Sequence, residues 1–125
     1  MLTDRGLDAA VSALAARCPV PVAVDVDLPR RATPAVEAIA YFVVAEALTN
    51  GAKHSHATRA RLEVKIDGEE LVIEVSDNGR GGADGAHASG LTGLRDRVRA
   101  VDGMLMVVSP EGEGTTLRVE LPCEP

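Results

Sequence analysis

Three short clusters in this chain carry side chains suited to handling a polar, negatively charged ligand. Glu46-Ala-Leu-Thr-Asn50-Gly-Ala-Lys53-His54 gathers a carboxylate, an amide, an ammonium and an imidazole. Asp77-Asn-Gly79-Arg-Gly81-Gly82 sets one carboxylate ahead of three glycines, which let the backbone turn sharply or let a ligand approach closely. Gly90-Leu91-Thr-Gly93-Leu94 places glycines at the opening of a helical pattern, where free N–H groups and the helix dipole favour phosphate. Each cluster alone is a weak signal, and their order makes the set informative.

The elements that must position these groups follow from periodicity. The spacing predicts a helix from Pro34 to about Ala52, with Thr33 as its cap and Pro34 in its first turn. At about 100° per residue, Ile39, Val43, Glu46, Asn50 and Lys53 fall within about 80° of one another. Polar heads thus share a stripe with large apolar side chains. Burying such heads unpaired is costly, so the stripe points to a polar site set into the core-facing side of the helix, or to a helix end tilting into water. Leu71 to Asp77 alternates as a strand, and Leu71, Ile73, Val75 and Asp77 share one face. That face is the buried one, so Asp77 is expected to aim inward at the strand's end, which a simple Asp-Asn-Gly turn does not require. Leu94, Val98 and Val101 form one stripe of a third helix, which Asp102-Gly103 ends with a left-handed residue.

The remaining segments fit around these. Thr3 to about Arg17 reads as a helix with Leu7, Val11 and Leu14 on one stripe. Val20 to Leu28 alternates as a strand, and prolines near its start predict an edge position. Ala60 to Asp67 alternates with Leu62, Val64 and Ile66 inward, and Asp67-Gly68 marks a hairpin into the Asp77 strand. Met104 to Ser109 and Thr115 to Leu121 make a second hairpin with Leu117, Val119 and Leu121 inward. The small, polar run from Ala83 to Ser89 has nothing to anchor it and is expected to be mobile without ligand. The predicted fold is a two-layer α/β sandwich (α+β): a mixed sheet of about five strands, three helices on one face, the other face open to water.

Composition bounds the function. The 125 residues suit one domain, spanning 1–125, with a core of Val, Leu, Ile and Ala because aromatics are only 2%. A net charge of −6 argues against a general nucleic-acid binder. No apolar run nears the roughly 18–20 residues that span a membrane, and no secretory leader is expected. Cys18 and Cys123 lack metal-ligand spacing, so free thiols in a reducing cytosol are expected. His54-Ser-His56 has no further ligand at metal-binding spacing.

Together the three clusters resemble the N, G1 and G2 boxes of the Bergerat-fold ATPases, the superfamily of gyrase and the histidine kinases. Tyr41-Phe-Val-Val-Ala-Glu-Ala-Leu-Thr-Asn50, the compact Gly82–Gly90 loop and Gly90-Leu-Thr-Gly-Leu-Arg-Asp-Arg-Val98 are similar to the catalytic domain of two-component sensor histidine kinases that pair with helix-turn-helix response regulators. The resemblance implies ATP and Mg²⁺ as ligands. It implies Asn50 as the Mg²⁺ ligand, Glu46 as the acid that acts as base or orients the attacking group, and Lys53 and His54 near the phosphates. It further implies Asp77 as acceptor of the adenine amino group, Gly79, Gly81 and Gly82 against the purine, and Gly90, Leu91, Gly93 and Leu94 at the triphosphate. Ala83 to Ser89 would be the lid, and Thr115, after Gly114, would lie near the adenine. Ala88 stands where the family often has glycine, and Phe42 is the only Phe, so a phenylalanine-rich box is missing.

The activity implied is transfer of the ATP γ-phosphoryl to a histidine on a helical dimerisation domain, with a response regulator downstream. That phosphoacceptor domain and any sensor domain lie outside these residues, so the chain alone is expected to bind ATP without phosphorylating itself. A cytoplasmic location is implied, with no nucleic-acid or membrane contact by this domain and any membrane anchor placed elsewhere in a longer protein. The alternative on the same fold is a serine kinase that acts as an anti-sigma factor. The Leu91–Val98 sequence favours the histidine-kinase subtype. A binding-only relic of the fold would have no use for Glu46, Asn50, Asp77 and the glycines.

Overall fold

In the computed structural model the backbone is described for residues 2–54, 57–79, 88–108 and 114–124, and the side chains for 6–48, 57–79, 93–108 and 114–124. The elements in chain order are α1 (Leu2–Ala16), β1 (Val22–Asp27), α2 (Pro34–His54), β2 (Ala60–Asp67), β3 (Glu70–Asp77), α3 (Ala88–Ala100), β4 (Met104–Val108) and β5 (Thr115–Pro122). The strands form one mixed sheet in the order β1-β2-β3-β5-β4. Among the described strands only β1 and β2 pair in parallel. The expected order, the two-layer architecture and the edge position of β1 are all present.

Local chemistry explains the element ends. Thr33 caps α2, its Oγ1 accepting the Val36 N–H at 3.4 Å. At the end of α3, Asp102 takes a left-handed φ of 61°. Gly103 N–H then donates to Val98 O at 2.9 Å and Asp102 N–H to Arg99 O at 3.0 Å, a Schellman closure. Gly103 itself is required by packing, because a Cβ there would come within 2.6 Å of Leu121 Cδ2. Between β2 and β3, Gly68 turns the chain at φ 64°.

Alternation drives the packing. Leu62, Val64, Leu71, Ile73, Val119 and Leu121 are buried on the face that meets the helices. Val36, Val43 and Val44 of α2 and Leu94 and Val98 of α3 meet them. Each such fully buried side chain stabilises the fold by about 1.5–3 kcal/mol. The opposite face carries Arg118, paired with Glu74 at 3.2 Å and Glu120 at 3.0 Å. This face is less uniformly wet than the pattern predicts. Val72 is buried there between its register neighbours Lys65 and Glu120, whose long stems can shield it, while Met104, Met106 and Val108 are exposed.

The first helix also departs from expectation. It begins at Leu2, but Gly6 breaks it with φ 81° and ψ 177°, a conformation outside the helical region. The Arg31 guanidinium lies close to Gly6. Arg31 forks onto Glu37, with Nε to Oε2 at 2.9 Å and Nη2 to Oε1 at 2.7 Å. Glu37 is the buried charged residue of the described core, and its Oε2 also accepts Ala32 N–H at 3.3 Å. The side-chain hydrogen bonding of Arg31 to Glu37 and the Glu37 charge hold the Arg31 pKa above its ordinary value. At the same end Thr33 N–H donates to Cys123 O at 3.0 Å, tying the β1–α2 connection to the end of β5.

Strand directions fix where the helices point. With β1 and β2 parallel, the connecting α2 runs against both, and so runs with β3. Both β3 and β4 pair antiparallel with β5, so α3, which joins them, runs against β3 and against α2. The C-terminal end of α2, the C-terminal end of β3 and the N-terminal end of α3 therefore meet at one end of the domain. These are the ends that carry the three clusters.

Candidate functional site

At that end Asp77 closes β3, flanked in register by Ala60 of β2 and Thr115 of β5. It continues the face of Leu71, Ile73 and Val75, each buried, and is itself half-buried. Its Oδ1 accepts the Gly79 N–H at 2.9 Å, which folds the chain back over the strand end. The inward aim and the Asx turn thus coexist, one oxygen serving the turn. Asn78 points the other way. Its Oδ1 accepts Thr58 N–H at 2.9 Å and Arg59 N–H at 3.1 Å, and its Nδ2 donates to Thr58 Oγ1 at 2.8 Å. Asn78 therefore pins the segment before β2 to the end of β3.

A cavity opens beside Asp77, walled by Cys18, Val20, Ala47, Leu48, Ala57, Ala60, Val75 and Asp77. The hollow is small and open at its mouth. Every described wall is apolar or weakly polar except the Asp77 carboxylate. Such a lining matches an apolar group that offers one hydrogen-bond donor. Ala47 and Leu48 lie on α2 just before Asn50, so that turn of α2 and the strand-end acid border the same space.

Gly114 braces this arrangement from β5. It sits at φ 81°, and a Cβ on it would overlap the Asp77 carbonyl oxygen. Only a residue without a side chain lets β5 begin so close to the acid.

The other candidates distribute as follows. Glu46 is half-buried on α2, one turn beyond the fully buried Val43. Asn50, Lys53 and His54 lie on the last turns of α2, their side chains outside the described residues. Gly81 and Gly82 fall outside the described residues, as does 83–87 of the proposed lid; Ala88 and Ser89, assigned to that lid, belong instead to α3. Gly90 and Leu91 lie in the first turns of α3, and Gly93 is exposed with no atom within 4 Å of where its Cβ would be. The Leu94 side chain is fully buried and anchors α3 in the core. Sequence reasoning missed Asn78 and the walls Cys18, Val20, Ala57 and Ala60. The Asp-Asn-Gly run was the available signal for Asn78; nothing local signalled the walls.

Comparison with known proteins identifies the family of the fold. The family described as "Histidine kinase-, DNA gyrase B-, and HSP90-like ATPase" matches residues 35–125. The chain is similar to the sensor histidine kinase LiaS of Bacillus subtilis, 36% identical over 93 residues, covering 72% of this chain and 26% of the relative. It is also similar to the sensor histidine kinase NarS of Mycobacterium tuberculosis, 35% identical over 133 residues, covering 98% of this chain and 31% of the relative. The chain thus spans between a quarter and a third of these relatives' length. A solved histidine kinase domain, from the blue-light activated histidine kinase of Erythrobacter litoralis EL346, superposes with a TM-score of 0.72 at 24% identity. That match covers 94% of this chain and 63% of the other, and it speaks to the fold alone.

Proposed function

The chain belongs to the histidine kinase-, DNA gyrase B- and HSP90-like ATPase family as a catalytic domain of the sensor histidine kinase type, and from that premise we propose that it binds Mg-ATP at the Asp77 end and delivers the γ-phosphoryl to a histidine of a helical dimerisation domain. A response regulator would receive it next. The observation that carries this reading is the shared cavity: the Asp77 carboxylate and the α2 turn just before Asn50 wall one apolar slot.

Each residue's part follows from its chemistry. The slot takes the purine ring, and Asp77 accepts the exocyclic amino N–H. Because Gly79 already occupies Oδ1, the second carboxylate oxygen serves the ligand. Gly114 and Thr115 line the β5 side of the same strand end. The Asn50 amide offers a hard oxygen of the kind Mg²⁺ prefers, and the ion when bound neutralises triphosphate charge. Lys53 and His54 add positive charge near the phosphates, and Gly90 offers a backbone donor at the positive end of α3, while the N–H of Gly93, the sixth residue of that helix, is taken up within it. Glu46 orients the attacking imidazole or takes its proton.

Isothermal titration tests the binding step. Heat is expected with Mg-ADP and not with Mg-GDP, whose purine presents a carbonyl where adenine presents its amino group. Asn50→Ala should weaken ADP at least about tenfold in magnesium and much less in EDTA. Absence of heat at millimolar Mg-ADP sinks the reading.

A further inference from the structure

The guanidinium of Arg97 on α3 lies over the ring of Phe42 on α2, with Cζ 4.0 Å from the ring centroid. Arg97 is exposed and Phe42 half-buried, so the pair sits at the outer seam between the two helices. Four residues return a helix to nearly the same face. The helices are antiparallel, so one turn toward the site from Phe42 is Glu46, and one turn toward the site from Arg97 is Gly93. These two form the next layer of the seam. Glu46 is half-buried there, and among the described residues nothing fills the space where a Gly93 side chain would stand. The stack therefore joins α2 to α3 one turn away from Glu46 and the start of α3.

We propose that Arg97 is a positioning residue: by stacking on Phe42 it sets the spacing of α2 and α3, and so the placement of Glu46 against the start of α3, to which the reading above assigns the phosphate end of the nucleotide. This rests on the nucleotide reading above. Arg97 needs no contact with the ligand for this role. The planar guanidinium suits it because it stacks on an aromatic face, and its weak hydration makes the contact favourable even at an exposed seam. The adenine slot draws its described walls from α2, β2, β3 and the α1–β1 turn, with no residue of α3 among them. The stack should consequently affect phosphate recognition and leave purine recognition alone.

That separation gives the test. Mg-ADP affinity is measured by titration calorimetry and adenosine affinity by NMR titration, for the parent chain, Arg97→Ala, Phe42→Leu and Phe42→Tyr. Arg97→Ala is expected to weaken Mg-ADP by about two- to fivefold, the scale of an exposed cation–π contact, with adenosine unchanged. Phe42→Leu keeps apolar bulk but loses the π face and should match it, while Phe42→Tyr should retain parental affinity. The double variant Arg97→Ala/Phe42→Leu should be no weaker than either single. Equal loss of Mg-ADP and adenosine would overturn the proposal, since that marks a general loosening of the fold. Loss in Arg97→Ala with none in Phe42→Leu would also overturn it, because Arg97 would then act on the phosphates directly. Unchanged Mg-ADP binding in Arg97→Ala refutes it too. A parent chain that binds no Mg-ADP removes the nucleotide reading and the proposal with it, a result distinct from all the others.

Discussion

Gly114 lies against the backbone of Asp77 so closely that a β-carbon on residue 114 would overlap the Asp77 carbonyl oxygen. The contact ties the residue just before β5 to the strand end that carries the acid. Gly114→Ala must both push the strands apart and force a side chain into φ 81°. It is expected to cost about 1–3 kcal/mol of stability and to weaken nucleotide binding more than any other Gly→Ala change at a described turn. Gly68→Ala, at φ 64° but with nothing near its Cβ, is the control and should show strain without the binding loss. Thermal melts and calorimetric titration of the two variants check this.

Asp77→Asn should abolish adenine recognition for a directional reason. The Gly79 N–H demands an oxygen at the Oδ1 position. The amide nitrogen of the D77N side chain is then forced into the other position, where it presents a donor to a donor. A loss of about a hundredfold or more in Mg-ADP affinity is expected, with the melting temperature little changed because the turn is kept. Parental affinity in this variant would remove Asp77 from purine recognition.

The Arg31–Glu37 fork lies at the far end of α2 from the site, so its loss should affect stability and not ligand affinity. Arg31→Met leaves a buried carboxylate without its cation and should lower the melting temperature by several degrees. Glu37→Gln keeps shape and one acceptor and should lower it less. The double variant should be more stable than Arg31→Met alone, because the orphaned charge is gone. A double variant as unstable as the sum of the singles would mean the two residues act independently.

Cys123 is buried, and desolvation raises its thiol pKa above the ordinary value of 9.0. The folded chain therefore holds the thiol proton more tightly than the unfolded chain does. The resulting contribution to stability is complete below the unfolded pKa and fades as pH climbs through the folded one. Unfolding free energy should decline above about pH 9, and Cys123→Ser should flatten that alkaline limb. In native protein, the half-exposed Cys18 should react with a thiol reagent well before Cys123 does.

The parts of this molecule legible in the sequence are those governed by local repetition. The alternation of Leu62, Val64 and Ile66 placed β2 at Ala60–Asp67, the bounds found. The alternation of Leu71, Ile73 and Val75 aimed Asp77 at the helical layer, and the shared cavity with Ala47 agrees. Thr33 and Asp102-Gly103 ended their helices as their chemistry dictates. What stayed hidden depends on contacts between distant segments. Cys18 looked like an isolated thiol, yet the turn after α1 carries it to the slot beside Asp77. Gly6 stood inside a helical stripe of Leu7 and Val11, and periodicity gives no warning that the chain breaks there. Leu94 shares a run with the Gly90 and Gly93 that open α3, and its burial shows that the run also anchors the helix in the core.

The strand bearing Asp77 has a neighbour on both sides, each antiparallel and each in register along its length. Sliding it by a single residue would turn every inward group to the wet side, and Asp77 with them. Two complete ladders would have to be broken first, which amounts to melting the domain. The proposed purine anchor is therefore a fixed point, and any adjustment of the site that carries it must come from the helices that roof it.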